Sequence, residues 1–162
     1  MNKKVPCIIL ARKNSRRIKR KNMILFNGKP LVYWTILTAF KSNIFDRVIL
    51  SSDWAKLNKF AKLNFKNLEI DNRPKKLSKS NTTSEKVIKY LFKKYKLIKG
   101  YSVLLQPTSP LRNSIYLKKM LNLFIKKRLK TLHSVSEIQN KTFINYKKNT
   151  IFNLPKKNKN KS

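Results

Sequence analysis

Only two glycines, Gly28 and Gly100, occur in the 162 residues. That leaves no material for a Walker A loop or a G-x-G-x-x-G dinucleotide fingerprint, which need glycine where backbone closes on phosphate. The single cysteine, Cys7, can form neither an internal disulfide nor a cysteine zinc cluster, as expected for a chain kept in a reducing cytoplasm. The single histidine, His133, argues against His-rich metal sites and most His-based nucleophile triads. Six acidic residues are too few to favour a paired-carboxylate hydrolase. No apolar run approaches the length of a membrane span, and the first residues lack a signal-peptide core, so neither insertion nor export is expected.

What the chain has in excess is positive charge. Its 40 Lys and Arg against 6 Asp and Glu give a net charge of +34. A chain this basic invites a nucleic-acid reading, because Lys and Arg release counterions from phosphates. The excess is mostly Lys, however, and comes with abundant Asn, Ile, Phe and Tyr, the residues an AT-rich genome encodes. The lysines are also spread over every predicted helix instead of forming one stripe, as on a solvated face. The hydrophobic share of 41 % still supports one packed domain.

Along the chain, short apolar runs alternate with amphipathic stretches. Val5–Ala11 reads as a buried strand, followed by a very basic stretch from Arg12 to Asn22. Asn27-Gly28-Lys29-Pro30 marks a turn, with Pro30 suited to a first helical turn. Val32, Ile36, Ala39 and Phe40 then share one helix face. Arg47–Ser52 reads as a second strand, and Asp53 is either the cap of the next helix, the favoured reading, or an acid facing a crevice. The inner face of that helix is Leu57, Phe60 and Ala61, and Asn67–Ile70 is expected as a third strand. Arg73-Pro74 forces an extended loop, and Thr83 or Ser84 caps a helix that Gly100 ends.

Tyr101–Leu105 is expected as another buried strand, leading into Gln106-Pro107-Thr108-Ser109-Pro110, whose prolines prevent regular structure. A helix from about Ser114 follows, then a strand over Thr131–Val135 with His133 as a core histidine. Strands alternating with helices predict an α/β fold with a mostly parallel sheet. Residues 1–144 are read as this domain and 145–162 as a disordered Lys/Asn-rich tail.

In such a sheet, ligands bind outside the carboxyl ends of the strands. The loop Ala11–Asn22 follows the first strand and supplies cations, a hydroxyl and consecutive amides, all suited to a polyphosphate. In so basic a chain a basic loop is also unremarkable, and composition alone leaves both readings open. The loop Leu105–Arg112 opens onto the same crevice. There Gln106 can bind a polar group and Arg112 a carboxylate or phosphate, unless the loop is only a rigid turn.

These loops, in this order, resemble the acylneuraminate cytidylyltransferase family. Ala11-Arg12-x-Asn14-Ser15-Arg16-x-x-x-x-Lys21-Asn22 is similar to the family's nucleotide loop A-R-x-(G/N)-S-(K/R)-x-x-x-x-K-N. Gly28-Lys29-Pro30-Leu31, Phe45–Asp53, Arg73-Pro74-x-x-Leu77-Ser78 and Leu104–Arg112 resemble its further motifs, the last being L-L-Q-P-T-S-P-L-R. Together they run in register from Ile8 to roughly Val135.

The resemblance implies a Rossmann-like nucleotidyltransferase that joins CTP to an acidic nine-carbon sugar, a nonulosonic acid of sialic, legionaminic or pseudaminic type. The implied products are the CMP-sugar and pyrophosphate, for surface-polysaccharide synthesis in the cytoplasm. It implies triphosphate contacts from Arg12, Ser15, Arg16 and Lys21, with Arg12 and Lys21 catalytic. Cytidine contacts would come from Asn22, Arg73, Thr82 and Ser84, and sugar contacts from Gln106 and Lys141. It further implies Mg²⁺, a homodimer, an R-x-N-G-x-x-Y element and a late aspartate pair as metal ligands.

After Asp71 the acids are Glu85 and Glu137, Trp54 stands where the family has a second Asp, and Ser80 replaces another family acid. Asp53 is the remaining candidate metal ligand. The chain is therefore expected to be a C-terminally truncated member lacking the dimer segment. An inactive nucleotide-binding remnant is the alternative, and a basic nucleic-acid-binding protein the more distant one.

Overall fold

The computed structural model describes residues 5–15, 18–97 and 101–134. Its centre is a four-stranded parallel sheet of β1 (Pro6–Leu10), β4 (Arg47–Ser52), β5 (Glu69–Asn72) and β6 (Val103–Leu105), in the order β5-β4-β1-β6. β1 lies between β4, in register Cys7↔Val48 to Leu10↔Ser51, and β6, in register Cys7↔Val103 to Ile9↔Leu105. The chain thus builds outward from β1 through β4 to β5, then crosses back to place β6 on the other side. That reversal opens a crevice at the carboxyl ends of β1 and β6.

Alternation along β1 sends its side chains into two cores. Cys7 and Ile9 pack with Val32, Ile36 and Ala39 of α1 (Leu31–Ser42), with Leu57 and Ala61 of α2 (Ala55–Asn64) and with Leu117 of α4 (Ser114–Lys126). Ile8 faces the other way and packs with Ile49 and with Val87 and Leu91 of α3 (Ser84–Lys94). Helices on both faces explain why β1 reads as an unbroken apolar run. Each fully buried Ile or Leu contributes roughly 1.5–3 kcal/mol. This is the α/β architecture with a mostly parallel sheet that the alternating pattern predicts.

Two helix starts are fixed by side-chain caps. Thr83 Oγ1 accepts from the Lys86 amide at 3.3 Å, and Asn113 Oδ1 accepts from the Ile115 amide at 2.7 Å. The turn at Asn27-Gly28 closes a hairpin of β2 (Leu25–Phe26) and β3 (Lys29–Pro30), which the sequence showed only as a turn. Asn27 at φ 46° and Gly28 at φ 72° give the paired positive φ of a tight hairpin turn.

Several expectations are corrected. The third strand is Glu69–Asn72 rather than Asn67–Ile70. It starts later because Leu68, fully buried, ends the connection from α2, where its amide donates to the Phe65 carbonyl. Residues 131–134 form no strand, and His133 is exposed instead of lying in a core. α3 stops at Lys94, short of Gly100, which lies outside the described residues, as do Val135 and the stretch 145–162. No helix among the described residues is long and apolar enough to cross a membrane.

Candidate functional site

A cleft of about 560 Å³ opens at the carboxyl ends of the strands. The loop after β1 contributes Arg12, Ser15, Lys21 and Asn22 to its lining. Arg73, just beyond β5, closes one side together with Thr82 and Ser84 from the entry to α3. Gln106 follows β6 and lines the opposite side. Sequence-expected residues from four separate segments thus meet in one cavity. Arg16 and Lys141 lie outside the described residues.

The first loop is tied down at successive residues. The Ala11 amide donates to the Ser51 carbonyl at 3.0 Å, extending the β1–β4 ladder past its end. Asn22, 5 % exposed, donates from Nδ2 to the Arg12 carbonyl at 2.9 Å, and the Lys13 amide donates to Asp53 Oδ1 at 2.7 Å. Asp53 is therefore not the helix cap favoured from sequence. The N-cap of α2 is Trp54, which has no side-chain cap bond, while the Asp53 carboxylate holds the basic loop. The amide of Trp54, next in the chain, donates instead to Ser52 Oγ at 3.1 Å. Arg12 in turn reaches across to the loop before α3, donating from Nη1 to the Lys79 carbonyl at 3.1 Å.

Arg73 is only 7 % exposed. Its Nε donates to Ser51 Oγ at 3.0 Å and its Nη2 to the Ser51 carbonyl at 2.7 Å. Burial pushes its guanidinium below the ordinary value, opposed by Asp53 and Asp71 and reinforced by Arg12. An anionic ligand in the cleft would relieve that cost, since two guanidiniums then share an opposite charge.

Arg112 is absent from the lining. Its Nη2 donates to the Gln106 carbonyl at 3.2 Å, and its own carbonyl accepts from Thr38 Oγ1 at 3.3 Å. The guanidinium thus closes the Pro-rich loop on itself, while the Thr38 and Thr35 hydroxyls of α1 hold the loop by donating to the Arg112 and Gln106 carbonyls. Sequence reasoning missed the apolar part of the cleft, where Leu10, Ile18, Leu104 and Pro107 supply surface suited to a flat ring. The only signal for it was that Leu10 and Leu104 sit near strand ends.

Among the described residues, the side chains do not fit a protein-held Mg²⁺ site. No group of three His, Cys, Asp or Glu side chains gathers among the described residues. Asp53 commits Oδ1 to Lys13, and Asp71 is buried against Lys94 and Ser51.

A parallel sheet in this order, with a cationic cleft where the strand order reverses, defines a doubly wound α/β protein with its crevice at the topological switch point. Residues 6–150 match the family model described as cytidylyltransferase, and the chain belongs to that family. It is 36 % identical over 136 residues to a pseudaminic acid cytidylyltransferase of Campylobacter jejuni, an alignment covering 82 % of this chain and 58 % of the relative. It is 32 % identical over 135 residues to an N-acylneuraminate cytidylyltransferase of Streptococcus agalactiae, covering 82 % of this chain and 32 % of that one. Among solved structures, a CMP:2-keto-3-deoxy-manno-octonic acid synthetase complexed with CTP shares the fold. Its TM-score is 0.62 at 18 % identity, over 77 % of this chain and 48 % of that chain. The chain spans little more than half the length of the first relative and about a third of the second.

Proposed function

We propose that the cleft binds CTP and that the protein transfers its cytidylyl group to a nonulosonic acid. The observation that carries this reading is the convergence of Arg12, Ser15, Lys21, Asn22, Arg73, Thr82, Ser84 and Gln106 on one cavity at the strand ends. The names of the sequence relatives support the substrate class. Residues 1–144 constitute the nucleotidyltransferase domain in this reading, and the site of action is the cytoplasm.

Arg12, Lys21 and Arg16 neutralise the triphosphate, with Ser15 as a hydroxyl donor to it. Asn22, Arg73, Thr82 and Ser84 hold the cytidine portion, while Gln106 and Lys141 take the acidic sugar. The sugar hydroxyl oxygen attacks the α-phosphorus in line, the bond to the bridging oxygen of pyrophosphate breaks, and the hydroxyl proton is released. Charge grows on the leaving pyrophosphate, so fixed cations at Arg12 and Lys21 stabilise the transition state more than the ground state.

A second reading is favoured by the acid-poor cleft: a protein that binds CTP with little or no turnover. Mg²⁺ prefers oxygen ligands that include one or two carboxylates, and a misplacement of about 1 Å costs on the order of 10²-fold in rate. Pyrophosphate release from CTP, Mg²⁺ and a panel of nonulosonic acids separates the two. Release with at least one acid supports the transferase, and bound CTP without release supports the second reading. Absence of CTP binding contradicts both.

A further inference from the structure

A fully buried carboxylate lies behind the cleft, and the proposed chemistry does not use it. Asp71, at the buried position of β5, has no exposed side-chain surface. Its Oδ1 accepts from Lys94 Nζ at 2.6 Å and from the Tyr90 hydroxyl at 3.4 Å, both on α3. Its Oδ2 accepts from Ser51 Oγ at 2.7 Å, on β4. The same Ser51 oxygen accepts from Arg73 Nε at 3.0 Å.

The hydroxyl has one proton, and Asp71, acceptor-only when ionised, takes it. The remaining lone pairs of Ser51 therefore face Arg73, whose Nη2 is fixed at 2.7 Å on the Ser51 carbonyl. Charges alternate along the chain of bonds, from Lys94 to Asp71 to Arg73, with Ser51 as the neutral link. Lys94 lines no part of the cleft. The hydrogen bond to Asp71 holds its ammonium above the ordinary lysine value.

We propose that Lys94, Asp71 and Ser51 form a positioning relay that sets the Arg73 guanidinium in the cleft, so that Lys94 tunes nucleotide affinity without touching the nucleotide. The relay rests on the reading of Arg73 as a nucleotide contact for its consequence, though not for its geometry. Without Lys94, the buried Asp71 carboxylate lacks its compensating cation and draws on Ser51 and Arg73 instead. The guanidinium then turns from the cleft toward the sheet.

The test uses the full chain, CTP as the probe, and the variants Lys94→Met, Lys94→Arg and Ser51→Ala. Lys94→Met and Ser51→Ala are each expected to weaken CTP binding about tenfold, as for loss of one charge-assisted bond. Lys94→Arg restores affinity. In an Arg73→Ala background, Lys94→Met has no further effect, which a general loss of stability would not reproduce. Independently of CTP, the Arg73 Nε–H signal in ¹⁵N NMR should be protected from exchange in the parent and lose that protection in Ser51→Ala. Unchanged affinity in both Lys94→Met and Ser51→Ala overturns the relay. So does a further loss in the Arg73→Ala background, or an unprotected Nε–H in the parent. If the parent binds no CTP but its Arg73 Nε–H is protected and responds to Ser51→Ala, the positioning stands and the CTP reading fails.

Discussion

The two sides of the cleft are built differently. On the β4–β5–α3 side, polar groups are cross-linked within the sheet. Arg47 pairs with Glu69 at 2.5 Å, Lys94 pairs with Asp71 at 2.6 Å, and α3 seats both Val87 and Leu91 in the core. On the β6–α4 side the strand has three residues and α4 buries only Leu117. Leu111 there is 82 % exposed and Ile115 60 % exposed. The Arg112 Nη1 atom is buried with no hydrogen-bond partner among the described residues. The wall carrying Arg73 is thus tied by charged side-chain pairs, whereas the wall carrying Gln106 is held by bonds to backbone carbonyls from Thr35, Thr38 and Arg112. The Arg73 side of the cleft is the one cross-linked by ion pairs.

The contrast is broken most readily by core substitutions. Leu91→Ala removes a fully buried side chain from the α3 core and is expected to cost about 2–5 kcal/mol in urea denaturation. Ile115→Ala, on the exposed face of α4, should stay within about 0.5 kcal/mol. Equal losses would mean that α4 is as deeply seated as α3.

A smaller effect separates the two walls by ligand. Arg73→Ala and Arg12→Ala should each weaken CTP binding by roughly 1.5–3 kcal/mol in calorimetry, more than tenfold in affinity. Gln106→Ala should leave CTP affinity nearly unchanged, because its proposed partner is the sugar. A Gln106→Ala loss as large as that of Arg73→Ala would erase the division of labour.

The smallest effect concerns β1, which both walls share. Burial pushes the Cys7 thiol well above its ordinary value. The folded state therefore keeps the thiol proton where the unfolded chain has lost it, so the contribution is complete below the unfolded pKa of about 8.5 and falls as pH rises beyond it. Above that point the loss approaches about 1.4 kcal/mol per pH unit. Thermal unfolding at pH 7 and pH 9.5 should show this slope in the parent and a shallower one in Cys7→Ala. Parallel slopes would show that the thiol ionises freely in the folded state.

What could be read from the sequence follows the same division. The strand Arg47–Ser52 carries its full bounds in its apolar run, and Thr83 announces α3 through its capping chemistry. The loops at strand ends were legible because local motifs and the parallel architecture together place them on one edge. The long-range polar bonds were not. Nothing local marks Asp71 as a buried hub, because its partners Lys94, on a later helix, and Ser51, on an earlier strand, are distant in sequence. Asp53 looked like a cap because its best acceptor role lies in the loop after β1, which no local pattern shows. The two-residue strands of the hairpin are too short for any periodicity, and residues 131–134, expected to begin a strand, have no strand partner among the described residues.

The central claim, that the basic cleft is a CTP site, is tested most directly by titrating the full chain with CTP and with ATP in a calorimeter. The account predicts saturable binding of CTP at one site per chain, with ATP at least about tenfold weaker, since the cytidine contacts, unlike the phosphate contacts, are specific to the base. Equal affinity for the two nucleotides, or no heat with CTP, would contradict it.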